Sequence, residues 1–203
     1  MFDIYISTKQ REAKLERCVK AIFANTYKNW RLVIRYNILD EIIIQNSNRE
    51  VKNMQGDWFL GLSDDTELLP DCLERLDEIA RVTFPDTDGV IGLNQINIPD
   101  APQGAIPCTG RKFAERFPNM QIQCPDYMYW NAEKEFEKYA RSIGKFIWCS
   151  EARLNHYHPS VMPKEMDETH RELRQRTTAC DMDVYEKRNA AGLLWGKDFK
   201  CLS

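Results

Sequence analysis

The feature that most constrains this chain of 203 residues is an apolar stretch that runs directly into two adjacent carboxylates. A buried strand is predicted at residues 58–60, and Asp64 and Asp65 follow beyond its carboxyl end. That edge of an open α/β sheet is the usual place for a ligand site, and carboxylate oxygens suit Mg²⁺ or Mn²⁺. Aspartates also favour turns and helix starts. The pair therefore predicts either a divalent-cation site or a polar turn that caps the helix expected from Pro70.

Apolar residues alternate between strand-like and helix-like spacing along most of the chain. Between residues 11 and 25 they recur three and four positions apart, which predicts a helix with one buried face. A second helix is expected from Pro70, since proline suits the first helical turn. Strands are predicted at residues 2–8, 32–34, 42–44, 58–60, 90–93 and 146–148. This alternation predicts an α/β fold with a mostly parallel sheet flanked by helices.

Two later regions depart from that pattern. Residues 98–125 are interrupted by prolines and glycines and predict a long connection of the kind that is often a functional lid or disordered. A polar helical tail is predicted from Pro163 to about Gly192, with the apolar residues 193–195 positioned to dock on the main body. We therefore expect one domain over residues 1–160 and a helical C-terminal extension over 161–203 packed on it.

Composition narrows the class of protein further. With 28 basic and 31 acidic residues, the chain lacks the charge excess typical of wholesale electrostatic capture of nucleic acid. Its seven cysteines are odd in number and contain no Cys-x-x-Cys pair, which favours free thiols in a reducing compartment. No apolar run approaches the about 18 residues that span a bilayer, and the N-terminus predicts a strand instead of an export signal. We expect a cytoplasmic protein without a transmembrane segment.

Several motifs occur in an order that is informative when they are taken together. The first strand and helix are followed by Asn-Thr-Tyr-Lys-Asn-Trp-Arg-Leu-Val-Ile at residues 25–34, then by Asn-Arg at 48–49, Gly-Asp-Trp at 56–58 and Ser-Asp-Asp at 63–65. This order resembles the nucleotide-sugar-dependent glycosyltransferases of the GT-A fold, family 2 type, over most of residues 2–160. The resemblance implies a Rossmann-like sheet with residues 63–65 in the place of the metal-binding Asp-x-Asp element.

The resemblance also implies roles for particular side chains. Asp65 would contact the metal directly, and Asp64 would contact the ribose or the metal shell. Asp126 would open a helix that faces the acceptor and act as general base, while His156 or His158 after the last strand would complete the metal site. Taken alone, an aspartate before a helix is also typical of an N-cap, and a histidine in an aromatic stretch is also typical of structural packing.

Contacts to the donor are implied at four further positions. Thr8 and Arg11 follow the first strand and would contact the base or the phosphates, and Arg49 would approach a phosphate. Asn37 stands where the family usually has an acid that reads the nucleobase. An amide both donates and accepts hydrogen bonds, so it does not select uracil as an ionised aspartate would. A UDP-sugar is the favoured donor, with the nucleoside left open.

The activity implied is transfer of a sugar from a nucleoside diphosphate sugar to an acceptor hydroxyl. Mn²⁺ or Mg²⁺ would neutralise charge on the departing β-phosphate, a base would take the hydroxyl proton, and a single displacement would invert the anomeric centre. The acceptor stays open among a saccharide, a lipid-linked sugar, a protein and a hydroxymethylated DNA base. Alternatives are a catalytically silent GT-A-like binding module or a nucleotidyltransferase. Nucleotidyltransferases usually carry a glycine-rich loop after the first strand, whereas residues 7–11 contain no glycine.

Overall fold

The computed structural model describes residues 1–9, 11–36, 43–98 and 100–202. Its strands are β1 (Phe2–Thr8), β2 (Trp30–Tyr36), β3 (Trp58–Ser63), β4 (Thr66–Leu68), β5 (Val90–Gln95), β6 (Pro107–Gly110) and β7 (Phe146–His156). Its α-helices are α1 (Glu12–Ala24), α2 (Ile43–Lys52), α3 (Cys72–Thr83), α4 (Arg111–Ala114), α5 (Ala132–Ser142) and α6 (Glu168–Ala190). Short 3-10 turns lie at Pro118–Met120 and Pro163–Glu165.

The seven strands form one sheet in the order β2-β1-β3-β6-β5-β7-β4. Strand β1 pairs in parallel with β2 and β3, and β5 pairs in parallel with β7. Strands β6 and β4 run against their neighbours, so the other five strands share one direction. The predicted α/β fold, with a mostly parallel sheet flanked by helices, is confirmed.

Side chains alternate along each strand, and the two faces of the sheet therefore carry separate cores. Ile4 and Leu60 point to the face covered by α1 and α3. Tyr5 and Phe59, one position along, pack on the other face with residues of α2, α4 and α5. Apolar burial contributes about 25 cal/mol per Å² removed from water. Covering both faces makes the sheet a rigid platform for the residues at its strand ends.

The prediction of a strand at residues 42–44 is wrong for the part that the structure describes. Ile43 and Ile44 begin α2, and Ile44 is buried against the second core. A short apolar run does not distinguish a strand from the first turn of a buried helix. Residue 42 lies outside the described residues.

Two short strands of the sheet escaped the sequence analysis. Strand β4 follows Asp65 directly and pairs with the end of β7. Strand β6 lies inside the connection predicted over residues 98–125 and separates β3 from β5. Three or four residues are too few to show a period, and β6 begins with a proline. Because β4 intervenes, the acid pair occupies the β3–β4 turn, and it is Asp71 that lies at the N-cap position of α3.

The chain beyond α6 packs on the main body. Trp195 is buried, its backbone N–H donates to the Glu135 carboxylate at 2.7 Å, and its indole N–H donates to the Gln121 carbonyl at 2.7 Å. All seven cysteines are free. Across the described ranges, the structure contains no helix with both the length and the apolar character needed to cross a bilayer. The division into residues 1–160 and 161–203 stays a prediction.

Candidate functional site

The carboxyl ends of four parallel strands meet at one cavity of about 490 Å³. Thr8 ends β1, Ser63 ends β3, Gln95 ends β5 and His156 ends β7, and all four line this cavity. Strands that share a direction bring their carboxyl ends to the same edge, which is where open α/β sheets bind ligands. The sheet topology alone therefore assembles residues that are far apart in the sequence.

The two aspartates of the β3–β4 turn are almost fully buried. Asp64 is 1% exposed and Asp65 is 2% exposed. The Thr8 hydroxyl donates to Asp64 Oδ2 at 2.6 Å. Arg11 Nη2 lies 3.1 Å from Asp64 Oδ1 and 3.2 Å from Asp65 Oδ2. A buried carboxylate requires such partners, because an unpaired buried charge costs several kcal/mol.

The surroundings move the pKa values of the two aspartates in opposite directions. Burial raises the pKa of Asp64 to about 6, although Arg11 and the Thr8 hydroxyl oppose the shift. Burial also acts on Asp65, but hydrogen bonds with His156 and His170 outweigh it and hold the pKa of Asp65 well below its usual range. Asp65 therefore keeps its negative charge to a lower pH than Asp64 does.

All three histidines of the chain lie around Asp65. His156 Nε2 is 3.4 Å from Asp65 Oδ1, and His170 Nε2 is 3.1 Å from Asp65 Oδ2. The His158 ring packs against both other imidazoles, with centroids 5.3 Å from His156 and 6.0 Å from His170. Burial lowers the pKa of His158 to about 4, so it lines the cavity as a neutral ring. Of the two histidines proposed for the metal, His156 is the one beside Asp65.

Each imidazole near Asp65 is oriented by a bond to its other nitrogen. His156 Nδ1 lies 2.6 Å from Gln95 Oε1, and His170 Nδ1 lies 2.8 Å from Asp167 Oδ1. Such outer contacts determine which imidazole nitrogen faces a ligand. The sequence analysis missed His170 as a site residue. The only signal for His170 in the sequence is that it is one of just three histidines.

The side chains around Asp65 suit a divalent cation that takes only some of its ligands from the protein. Among the described residues, no three His, Cys, Asp or Glu side chains are arranged to hold an ion by themselves. Mg²⁺ at nucleotide sites typically takes one or two carboxylates and completes its shell with water and substrate phosphate oxygens. Asp65 and His156, on neighbouring strand ends, fit a site of that kind.

Another part of the cavity wall combines aromatic rings with a carboxyl group. Tyr129 and Trp130 line the cavity together with Glu133 in the first turn of α5. Burial raises the pKa of Glu133 to about 7. A general base works best with a pKa near the operating pH, and perturbed carboxyls in clefts are candidate functional groups. The sequence analysis missed Glu133, whose only local signal is its position at a helix start after an aromatic run.

The segment before Glu133 is held by a carboxylate from α6. Asp181 is fully buried and accepts hydrogen bonds from three consecutive backbone N–H groups, of Met128 at 2.9 Å, Tyr129 at 2.8 Å and Trp130 at 2.6 Å. Helix α6 also supplies Thr169, Glu172, Leu173 and Arg176 to the cavity wall. The C-terminal helix is thus part of the site.

Asp126 is placed differently from the sequence expectation. It is absent from the cavity wall, and its Oδ2 accepts from Arg188 Nη1 at 2.6 Å and from the Leu202 backbone N–H at 2.9 Å. Helix α5 begins at Ala132, six residues later, so Asp126 does not open it. These contacts connect Asp126 to the C-terminal extension, and its role as general base stays a prediction.

The remaining predicted donor contacts are distributed unevenly. Thr8, Arg11 and Asp64 line the cavity. Arg49 lies on α2, outside the cavity wall, and bonds to Asn46. Asn37 lies outside the described residues.

Comparison with known proteins gives structural matches alone, since no protein-family model and no curated protein matches the sequence. The fold is similar to TarS 1-349 from S. aureus in complex with UDP, with a TM-score of 0.58 at 10% identity, covering 83% of this chain and 68% of that one. It is also similar to the mannosyltransferase PcManGT from Pyrobaculum calidifontis in complex with GDP-Man and Mn²⁺, with a TM-score of 0.57 at 12% identity, covering 84% and 59%. The chain spans 41% of a longer TarS structure. The fold is therefore GT-A-like, as in glycosyltransferases.

Proposed function

We propose that this chain is a glycosyltransferase that moves a sugar from a nucleoside diphosphate sugar to an acceptor hydroxyl. The observation that carries the proposal is the meeting of the anionic Asp65, its histidines and the basic Arg11 at the carboxyl ends of parallel strands. The GT-A-like fold supports it, as do the UDP and GDP-Man complexes of similar structures.

On the donor side, Asp65 and His156 would hold Mn²⁺ or Mg²⁺. When bound, the ion would supply Lewis-acid neutralisation of charge that develops on the β-phosphate. Arg11 carries a permanent positive charge into the same cavity and suits a diphosphate because its planar fork matches phosphate oxygens. Thr8 and Asp64 lie beside it and would contact the nucleotide. A UDP-sugar is the proposed donor.

On the acceptor side, we assign the general base to Glu133. Its raised pKa keeps an appreciable fraction of the carboxyl ready to accept a proton near neutral pH. Tyr129 and Trp130 beside it offer aromatic faces on which a sugar ring or a planar base can stack. The base acts on the acceptor hydroxyl while the phosphate leaves from the donor sugar. A single displacement of this kind inverts the anomeric centre. Asp126 stays the competing assignment.

Donor binding tests the proposal most directly. A ligand that binds only the folded state raises its stability by RT ln(1 + [L]/Kd), about 2.7 kcal/mol at 100 times Kd. We expect a Mn²⁺-dependent rise in Tm with UDP-sugars within a panel of UDP-, GDP-, dTDP- and CMP-sugars. Asp65→Asn is expected to lose that rise. Asp57→Asn, which changes a carboxylate with a side chain 62% exposed, is the matched control and is expected to keep it.

Other outcomes identify the alternatives. No shift with any donor, with or without metal, would contradict the transferase proposal and favour a silent module. A shift with nucleoside triphosphates and none with diphosphate sugars would favour a nucleotidyltransferase.

A further inference from the structure

The guanidinium of Arg11 lies between the two carboxylates that the proposed function gives to the metal and the nucleotide. Its Nη2 is within 3.2 Å of an oxygen from each of Asp64 and Asp65. The same atom lies 3.5 Å from His170 Nε2. The Arg11 side chain is only 9% exposed, so this contact is enclosed by the protein. The space between the two aspartates is therefore taken by a cation of the chain itself.

A segment of the C-terminal extension holds Arg11 there. We call residues 165–172 the C-terminal strap. Asp167 of the strap lies 3.3 Å from Arg11 Nε and 2.7 Å from Lys14 Nζ. Lys14 also donates to the Glu165 carbonyl at 2.7 Å. The strap, which leads into helix α6, thus sets its acidic side chains against Arg11 and Lys14.

Further contacts tie the strap to the chain just before Arg11. Glu172 pairs with Lys9, and the Thr169 hydroxyl donates to the Lys9 carbonyl at 3.1 Å. His170 extends from the same strap to Asp65. Arg11 is consequently bounded by the acid pair on one side and by the strap on the other.

Two cations do not share one small anionic site without cost. Like charges repel, and they repel more strongly in the enclosed interior of a protein than in water. Arg11 contacts Asp65 Oδ2, whereas His156 faces Asp65 Oδ1, so a divalent ion held by Asp65 and His156 would share one carboxylate with the guanidinium. The ion therefore binds Asp65 well only when Arg11 moves away, and the strap opposes that movement.

We propose that Arg11 is a built-in cation that competes with the divalent metal for Asp65 and is kept in place by the C-terminal strap. This inference rests on the proposed function, in that it takes Asp65 as the metal contact. Its consequence is coupled binding: the metal alone binds weakly, whereas the metal with a nucleoside diphosphate binds well because the phosphates accept the displaced guanidinium. Such coupling is reciprocal, so the metal raises nucleotide affinity by the same factor.

The test is a titration of the full chain with Mn²⁺ in the absence of nucleotide. Free Mn²⁺ is monitored by its electron paramagnetic resonance signal. We expect Arg11→Met to bind Mn²⁺ at least tenfold more tightly than the unaltered protein. Arg11→Lys is expected to have an intermediate Mn²⁺ affinity, because an ammonium keeps the charge without the fork that reaches both carboxylates. The lysine variant also keeps the test valid if Arg11→Met folds poorly.

Lys20→Met is the matched control. Lys20 carries the same charge on α1, but its side chain is 75% exposed and pairs with Glu16 of the same helix. It is expected to change Mn²⁺ affinity less than threefold. In a second titration, UDP should raise the Mn²⁺ affinity of the unaltered protein more than that of Arg11→Met.

The outcomes that overturn the inference are specific. Equal or weaker Mn²⁺ binding by both Arg11 variants would do so, and so would an equal gain in Lys20→Met, which would indicate a net-charge effect. The absence of Mn²⁺ binding in every variant would also overturn it. None of these results removes a Tm rise caused by a nucleotide sugar, so failure of the inference is distinguishable from failure of the transferase proposal.

Discussion

Glu133 and Asp126 are carboxyl groups only seven positions apart, yet their surroundings give them different chemistry. Glu133 lines the cavity, and burial raises its pKa to about 7 against the opposing charge of Lys134. Asp126 is bonded to Arg188, a cation that is itself 1% exposed. Proton transfer requires a carboxylate within reach of the acceptor. At the residue scale, geometry and charge therefore both favour Glu133 as the base.

The pH dependence of transfer follows from this assignment. A base must be deprotonated, so we expect transfer or slow donor hydrolysis to fall as the pH is lowered through about 7. Glu133→Gln should reduce the rate by about 10²- to 10⁴-fold and keep the donor-induced rise in Tm. Asp126→Asn is the comparison and should keep the rate. An inactive Asp126→Asn beside an active Glu133→Gln would restore the assignment made from the sequence.

At the scale of elements, β5 and the connection to β6 shape the cavity together. This connection supplies Ala101, Pro102, Ala105 and Ile106 to the cavity wall. It crosses Gly92 of β5 so closely that a Cβ there would lie 2.0 Å from the Gln103 carbonyl oxygen. Only glycine allows two backbones to approach in this way.

A methyl group at this crossing should displace the connection. We expect Gly92→Ala to lower the free energy of unfolding by about 1–3 kcal/mol through overpacking and to weaken donor-induced stabilisation. Gly61→Ala in β3 is the control, because its Cβ would have only the Phe59 ring at 3.4 Å nearby. Urea unfolding of both variants checks the difference. Equal losses in the two variants would contradict the role given to the crossing.

At the scale of the whole molecule, one buried arginine fastens the C-terminal extension to the main body. Arg188 of α6 bonds to Asp126 and Glu135, and also to the Lys200 carbonyl at 2.7 Å. Glu135 in turn accepts the Trp195 backbone N–H. The same helix carries Asp181 and residues 168–172 of the strap, so this fastening also positions parts of the cavity wall.

Loss of the arginine should cost the molecule much of its stability. Arg188→Met leaves two carboxylates without their cation, and we expect the free energy of unfolding to fall by about 3–5 kcal/mol. Lys187→Met, on the exposed side of α6, breaks a pair with Asp183 and should cost less than about 1 kcal/mol. Chemical denaturation measures both. A loss below 1 kcal/mol in Arg188→Met would show that the extension is held by its other contacts.

Local patterns were enough to predict a large part of this molecule. The strand before Asp64, the helix over residues 11–25 and the α/β class all follow from spacing within a few residues, because a helix or a strand repeats over that distance. The place of the acid pair at a strand end follows for the same reason. The strand expected at 42–44 failed because burial, which the tertiary structure decides, is compatible with either element.

The sequence by itself determined where the acid pair stands and which fold could carry it. Only the tertiary structure decided what surrounds that pair. It brought His170 to Asp65 across 105 positions of sequence, placed Arg11 between two aspartates and turned Glu133 toward the cavity while Asp126 was drawn to Arg188. Such contacts depend on how helices dock on the sheet, and no spacing within one segment encodes a distance between two segments.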